Sequence, residues 1–400
     1  AAGMLFYLIT MVSGVWLIPQ ALNGGTKNTS TLWTLTHLIV LGSTTMIAMG
    51  ASFQLTQVIL RTSLYSRLLG YLHFIVYISG VITLIASLTF HFFQGIVLGG
   101  ILVTLGVFLY AFNLVATFLK KKEWNHYIFG VSLSLLHLFL TVGLGFIMSN
   151  GAFQWISSTY EDLFVAHIWF GMIGWLSGLI ITYTFKLLPM FYNSPRKAVH
   201  EAYLILSLFH VGVWLHVISH WMEWEMFSKI ANFSILISLT IFVRFVHEVR
   251  LQSRKKNPGG AVSIAYMLIY CSFGLTILWT IVHTFFPVSI GTHLLAEAIV
   301  TFLILGWFAA TILSYLSKII PFLWWAYRFH TTWKKKSNML LSDMTNDKKL
   351  VPLLSIYFVG VTFVCVAFLL NHSILSFIGQ ITALLAAIVY IVELMKVFRY

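Results

Sequence analysis

Two pairs of side chains that can bind a metal or transfer a proton lie within apolar stretches of the sequence, and the two members of each pair are one helical turn apart. His216 and His220 lie four residues apart, and so do His293 and Glu297. Residues with this spacing share one face of a helix, so each pair can reach a common centre. Neutral imidazole is the commonest protein ligand of transition metals. His216 and His220 are therefore candidate metal ligands, while Glu297 is a candidate ligand, proton-relay acid or hydrogen-bond partner of His293.

His37 and His167 are two further candidates, because each stands near the beginning of a long apolar run. A buried imidazole is costly in lipid unless its nitrogens are bonded, and a metal bond removes that cost. The alternatives are that histidines simply favour membrane interfaces, and that Glu297 is a protonated packing residue. An ionisable side chain inside a membrane segment nevertheless indicates function by default.

The composition indicates the kind of protein that positions these side chains. Charged residues make up 9% of the chain, hydrophobic residues 59%, and mean hydropathy is +0.91. A soluble domain has about a quarter charged residues, so this surface cannot face water and the partner must be a lipid bilayer. The net charge of +13 raises the possibility of nucleic-acid binding. We expect none, because the basic residues lie in short loops between apolar runs.

Apolar runs of about 20 residues predict twelve transmembrane helices, since only helices satisfy their own backbone in lipid. We therefore predict an all-α integral membrane protein in which residues 1–400 form a single membrane domain. The predicted spans are 4–20, 32–60, 68–92, 95–119, 126–149, 163–191, 200–222, 229–249, 261–286, 291–327, 351–370 and 373–396.

The basic residues predict the orientation of these spans. With both termini on the cytoplasmic side, only Lys27 and Lys229 of the 24 lysines and arginines fall outside. This asymmetry is the usual positive-inside pattern and favours an N-in, C-in topology. No basic segment precedes the first span, so we expect no cleavable signal peptide.

A threefold internal repeat is predicted by three similar helices. His37, His167 and His293 open spans 2, 6 and 10, which are four helices apart, and spans 6 and 10 end in the matching segments KLLPM and KIIPF. A fixed period of this kind indicates repeated structural units. We place the repeats at about 1–119, 120–250 and 251–400, each an arc of four helices.

This arrangement resembles subunit I of the haem–copper oxidases and nitric oxide reductases, most specifically the cbb-type branch from His167 to its basic–apolar–apolar–Pro exit. The resemblance implies that His37 and His293 ligate a haem b. It also implies that His167 and His220, with His216, hold copper or non-haem iron. It further implies electron supply by quinol or an external donor subunit, and location in a bacterial-type inner (plasma) membrane.

The sequence departs from the family pattern at several positions. The adjacent histidine pair expected on helix 7 is Ser219-His220, and His293 is followed by Leu294 and Leu295 where a second histidine is expected. Gly171 stands where some branches have tyrosine. These departures indicate a reduced member of the family, with one haem b or two and an altered second metal site.

Three functions follow as expectations. The first is a haem-binding membrane oxidoreductase acting in electron transfer, with dioxygen or nitric oxide as acceptor. The second is a non-catalytic haem-binding sensor or accessory protein. The third is a metal or solute transporter that uses the intramembrane histidines and Glu297 as an ion path.

Overall fold

The computed structural model describes residues 2–23, 29–121, 124–149, 157–286, 289–329 and 341–399. These residues are almost entirely helical, and no strand occurs among them. Twelve helices are long and apolar enough to span a membrane, as the hydropathy of the sequence predicts. They are α1 Ala2–Gln20, α2 Thr31–Leu60, α3 Arg67–Thr89, α4 Phe93–Lys121, α5 His126–Ser149, α6 Tyr160–Tyr192, α7 His200–Met222, α8 Glu225–Leu251, α9 Val262–Phe285, α10 Ile290–Arg328, α11 Asp347–Leu370 and α12 Ser373–Arg399.

The outer surface of the bundle is apolar. Large apolar side chains such as Leu68, Leu119 and Leu385 are more than half exposed. Exposed apolar area on this scale is unstable in water but matches a hydrocarbon surrounding. The surface therefore agrees with the bilayer partner expected from the composition.

Three of the twelve helices are interrupted by a π-helical segment: Leu38–Thr45 in α2, Trp169–Ser177 in α6 and Phe302–Ala310 in α10. A π turn shifts backbone hydrogen bonding to residue i+5, is rare, and is frequent at functional sites. Side-chain hydroxyls follow the same spacing, since Thr44 donates to the Ile39 carbonyl and Ser177 to the Met172 carbonyl. The three interrupted helices are those in which the sequence predicts the repeated histidine.

Similar tryptophan contacts join these three helices at the centre of the bundle. Trp175 Nε1 on α6 donates to Thr45 Oγ1 on α2 at 3.2 Å, and Trp307 Nε1 on α10 donates to Ser177 Oγ on α6 at 3.1 Å. All four side chains are buried. The repeat of one contact across successive groups of four helices is what an internal repeat would produce.

Tyrosines from neighbouring helices satisfy carbonyls of two π segments. Tyr77 on α3 donates to the Leu41 carbonyl, and Tyr357 on α11 donates to the Leu305 carbonyl. Both tyrosines occupy the same position in their helices. Tyr77 lies ten residues after Arg67, the first residue of α3, and Tyr357 lies ten residues after Asp347, the first residue of α11. The corresponding position on α7 is His210, ten residues after His200.

Grouping of the helices into three arcs, the repeat boundaries and the membrane orientation stay predictions.

Glycines on one face of α6 allow the side chains of α5 and α7 to approach its backbone. A Cβ added at Gly171 would lie 2.9 Å from Thr141 Cγ2, and one at Gly174 would lie 2.5 Å from His137 Cγ. A Cβ at Gly178 would lie 2.8 Å from His210 Cε1. These positions therefore require glycine, and the groove that they form holds two histidines against α6.

Candidate metal centre

His37 on α2 and His167 on α6 face each other across the gap between the two helices. Their ring centroids are 6.2 Å apart and their planes differ by 29°. Both side chains are half-buried. Each histidine stands just before the π segment of its helix, His37 directly before Leu38 and His167 two residues before Trp169.

Hydrogen bonds fix the tautomer of both rings. His37 Nδ1 lies 2.8 Å from the Trp33 carbonyl, and His167 Nδ1 lies 2.9 Å from the Thr141 carbonyl. A carbonyl oxygen can only accept, so Nδ1 carries the proton in each ring. In a neutral imidazole this leaves the Nε2 lone pair available, and an Nδ1–H bond to a carbonyl is the usual orienting contact of a metal-bound histidine.

Neighbouring residues hold the His167 ring in place. Thr141 on α5 supplies the carbonyl that accepts from the ring, and its own hydroxyl donates to the His137 carbonyl at 2.7 Å. A Cβ at Gly145, one turn further along α5, would lie 3.0 Å from His167 Cε1 and 3.4 Å from Nδ1. The ring thus lies close to the α5 backbone, and a side chain at position 145 would displace it by a few tenths of an ångström.

The separation of the rings fits one metal atom between them. With metal–nitrogen bonds of about 2 Å and about 1 Å from each nitrogen to its ring centre, two imidazoles on opposite sides of a metal have centroids roughly 6 Å apart. The observed 6.2 Å matches this value. In the described part of the chain no three His, Cys, Asp or Glu side chains are grouped to hold a metal ion. His37 and His167 are therefore candidate ligands of a group that takes two protein ligands.

An aromatic pair crosses the same gap one turn away. Trp33 precedes His37 by four residues, Phe164 precedes His167 by three, and their ring centroids are 6.2 Å apart with planes inclined at 45°. A porphyrin between the two histidines would part these rings, whereas a bare metal ion would leave them in contact. The imidazole geometry therefore fits both groups, and the Trp33–Phe164 contact distinguishes them.

His216 takes part in a different network. Its ring stacks on Trp169 with centroids 3.9 Å apart, and its Nε2 donates to Asn232 Oδ1 at 3.0 Å. Asn232 Nδ2 in turn donates to His283 Nδ1 at 3.2 Å. The described contacts of His216 are with Trp169 and Asn232 rather than with His167, so a second metal shared by His216 and His167 stays a prediction.

The three remaining candidates, His220, Glu297 and His293, lie in different surroundings. His220 Nε2 is 3.3 Å from Asp162 Oδ1, and both side chains are about one-third exposed. Glu297 lines a cavity of about 330 Å³ between α1, α2, α10, α11 and α12. His293 is exposed near the beginning of α10.

His293 is also displaced along its helix relative to the other two repeated histidines. It lies nine residues before the π segment that begins at Phe302, whereas His37 and His167 immediately precede theirs. Seven or eight residues of helix correspond to roughly 11 Å. The position on α10 that corresponds to His37 and His167 is occupied by Thr301 or Val300, so the three repeats do not present histidine at the same depth.

Sequence reasoning missed a second histidine pair. His137 on α5 and His210 on α7 are 0% and 3% exposed, and their Nδ1 atoms are 3.1 Å apart. The ring centroids are 4.8 Å apart and the ring planes differ by 9°. The glycine spacing 171, 174, 178 on α6 was the available signal, because it predicts a groove for bulky neighbours.

Outside the spans, the connection between α6 and α7 carries a compact ion cluster. Arg196 donates to both carboxylate oxygens of Glu201 and, at 2.8 Å, to Glu248 on α8. The hydrogen bond to Glu201, followed by that to Glu248, raises the pKa of the Arg196 guanidinium above its ordinary value despite partial burial. The cluster fixes the ends of α6, α7 and α8 on the predicted cytoplasmic side, away from the histidine centre.

No protein-family model matches the chain, and no curated protein resembles it significantly.

Proposed function

We propose that the protein is a membrane haem protein that transfers electrons through one haem held by His37 and His167. The observation that carries the proposal is the facing of two imidazoles, each with its Nδ1 proton on a backbone carbonyl and its Nε2 lone pair available. Bound haem would supply reversible one-electron chemistry between ferric and ferrous iron.

The two histidines define which type of haem chemistry the site favours. His37 and His167 would together hold the haem, and a haem with two protein ligands suits electron transfer rather than binding of dioxygen or nitric oxide. Gas reduction would also need a second open metal. In the part of the chain that the structure describes, no three His, Cys, Asp or Glu side chains are grouped to hold one. We therefore propose electron transfer, with the terminal acceptor on another protein.

The experiment is an oxidised and a reduced visible spectrum of the purified protein, with haem and metal quantification on the same sample. We expect sharp bands of six-coordinate haem on reduction, a one-to-one ratio of haem to chain, and no change with carbon monoxide. His37→Ala and His167→Ala should each abolish the bands, while His293→Ala should keep them. Loss of haem in His293→Ala with retention in His167→Ala would overturn the proposal.

A second candidate is a centre that binds one transition-metal ion, as a metal transporter would. The contact between Trp33 and Phe164 favours it, because a bare ion leaves these rings together. Imidazole suits copper and zinc as well as iron. A colourless preparation with bound copper or zinc that is lost in both His37→Ala and His167→Ala would favour this candidate over haem.

A further inference from the structure

A cavity of about 310 Å³ lies between α6, α7, α8, α9 and α10. Its wall is mainly aliphatic and aromatic, with a small number of polar groups. Volumes of this size with an apolar lining and a few placed polar groups are typical of small-molecule sites. The cavity is on the face of α6 that carries Trp169, and neither His37 nor His167 lines it.

Polar groups on α9 form a stripe that runs along the cavity. Ser272, Thr276 and Trp279 line it at helical spacing, and His283 continues the same face one turn beyond, with its ring 5.5 Å from that of Trp279. As a whole, α9 is apolar enough to span a membrane. A polar group within a membrane helix is costly unless it is bonded, so the groups on this face that lack a partner in the protein are candidates for contact with a ligand.

Asn232 on α8 presents a fixed amide to the cavity. Its Oδ1 accepts from His216 Nε2, and one hydrogen of Nδ2 goes to His283 Nδ1. Both histidines therefore hold the amide in one orientation. Asn232 is 3% exposed and lines the cavity, so its second N–H is a buried donor.

The hydrogen-bond inventory of the cavity defines the chemistry of the ligand. The hydroxyl of Ser272 is buried and has no partner among the residues that the structure describes. Trp279 adds an indole N–H, which can only donate. Thr276 uses its proton on the Ser272 carbonyl. The cavity thus offers donors from Asn232, Ser272 and Trp279, so it fits a ligand that carries hydrogen-bond acceptors.

The aromatic lining defines the shape. Trp169, Trp279, Trp307 and three phenylalanines line the cavity. Aromatic faces pack well against flat rings. We propose that this cavity binds a quinone, a flat lipid-soluble ring whose carbonyl oxygens accept from Asn232 and Ser272. The site would serve the proposed electron-transfer function as its carrier site, but quinone binding itself does not require the His37–His167 centre.

The test uses the purified full chain and radiolabelled menadione (2-methyl-1,4-naphthoquinone) in a scintillation proximity assay. Ser272→Ala removes one donor that has no internal partner, and should weaken binding about fivefold. Ser355→Ala on α11 is the matched control and should bind as the wild type does. Leu275→Trp fills the cavity and should weaken binding at least about tenfold while the protein keeps its thermal unfolding temperature.

Photolabelling locates the site independently. An azido derivative of menadione should label α8 and α9, and excess menadione should protect them. Labelling of the other large cavity, between α1, α2 and α10, or equal binding by the wild type and Leu275→Trp, would overturn the proposal. So would a purified protein that holds only phospholipid in this cavity. His37→Ala should lose the proposed haem yet bind menadione unchanged, which separates failure of the quinone site from failure of the haem centre.

Discussion

His137 and His210 form a hydrogen bond between their Nδ1 atoms in the middle of the helix bundle, with the rings parallel to within 9°. One ring must donate and the other accept, so the two histidines hold opposite tautomers. The Nε2 atoms of both are buried without a partner among the described residues. The mutual Nδ1–Nδ1 bond is the contact that couples the two rings, so its energetic contribution is measurable.

We expect His210→Leu to lower the free energy of unfolding by roughly 1 kcal/mol, because it removes the hydrogen bond between the two Nδ1 atoms in an apolar surrounding. His137→Leu should have a similar effect. The double variant should be no less stable than either single variant, since both polar groups are then replaced by apolar ones. Thermal unfolding of the purified protein in detergent measures all three.

The control for this pair is His200→Leu, which changes an exposed histidine at the beginning of α7. It should leave the unfolding temperature unchanged within error. If the effects of His137→Leu and His210→Leu simply add in the double variant, the two rings do not stabilise each other through the observed bond.

The helices and the positions of His37 and His167 along them follow from the sequence, because hydropathy and length define each span. The pairing of these two rings did not follow. It depends on the rotation of α2 and α6 about their axes, and the π segments just beyond His37 and His167 change that rotation. Nothing in the hydropathy pattern distinguishes a π turn from an α turn.

The expected role of His216 shows a different limit. Its spacing from His220 does place both on one face of α7, as predicted. What that face contacts is decided by Trp169 on α6 and Asn232 on α8, which are distant in sequence. A four-residue spacing therefore predicts a shared face but not a shared ligand.

The family resemblance likewise predicted a His37–His293 pair, and the structure places His37 opposite His167 instead.

The contact between α2 and α6 gives a second stability prediction. Thr45→Val keeps the side-chain volume but removes the acceptor of Trp175 Nε1, which is buried. We expect a loss of about 1–3 kcal/mol in the free energy of unfolding. Thr382→Val, an exposed threonine on α12 whose hydroxyl bonds only within its own helix, is the control. Equal unfolding temperatures for the two variants would show that the Trp175–Thr45 bond contributes nothing.

The predicted orientation is testable by cysteine labelling in intact cells, with Cys271 and Cys365 replaced by serine. Glu225→Cys lies at the beginning of α8, on the predicted outer side, and should react with a membrane-impermeant maleimide. Lys255→Cys lies between α8 and α9 and should react only after lysis, because basic connections stay in the cytoplasm. The reverse pattern would invert the topology and place the His37–His167 centre on the cytoplasmic side.

The position of the His167 ring gives a graded test of the metal centre. Gly145→Ala places a Cβ 3.0 Å from His167 Cε1, so the ring must move by a few tenths of an ångström. Ligand geometry tolerates little displacement, and we expect haem or metal occupancy to fall several-fold while the helix, which gains alanine, stays folded. Gly143→Ala is the matched control, since its added Cβ would have nothing within 4 Å. Occupancy is measured on the purified variants by haem and metal quantification. Full occupancy in Gly145→Ala, equal to that of Gly143→Ala, would show that the bound group does not depend on the position of His167.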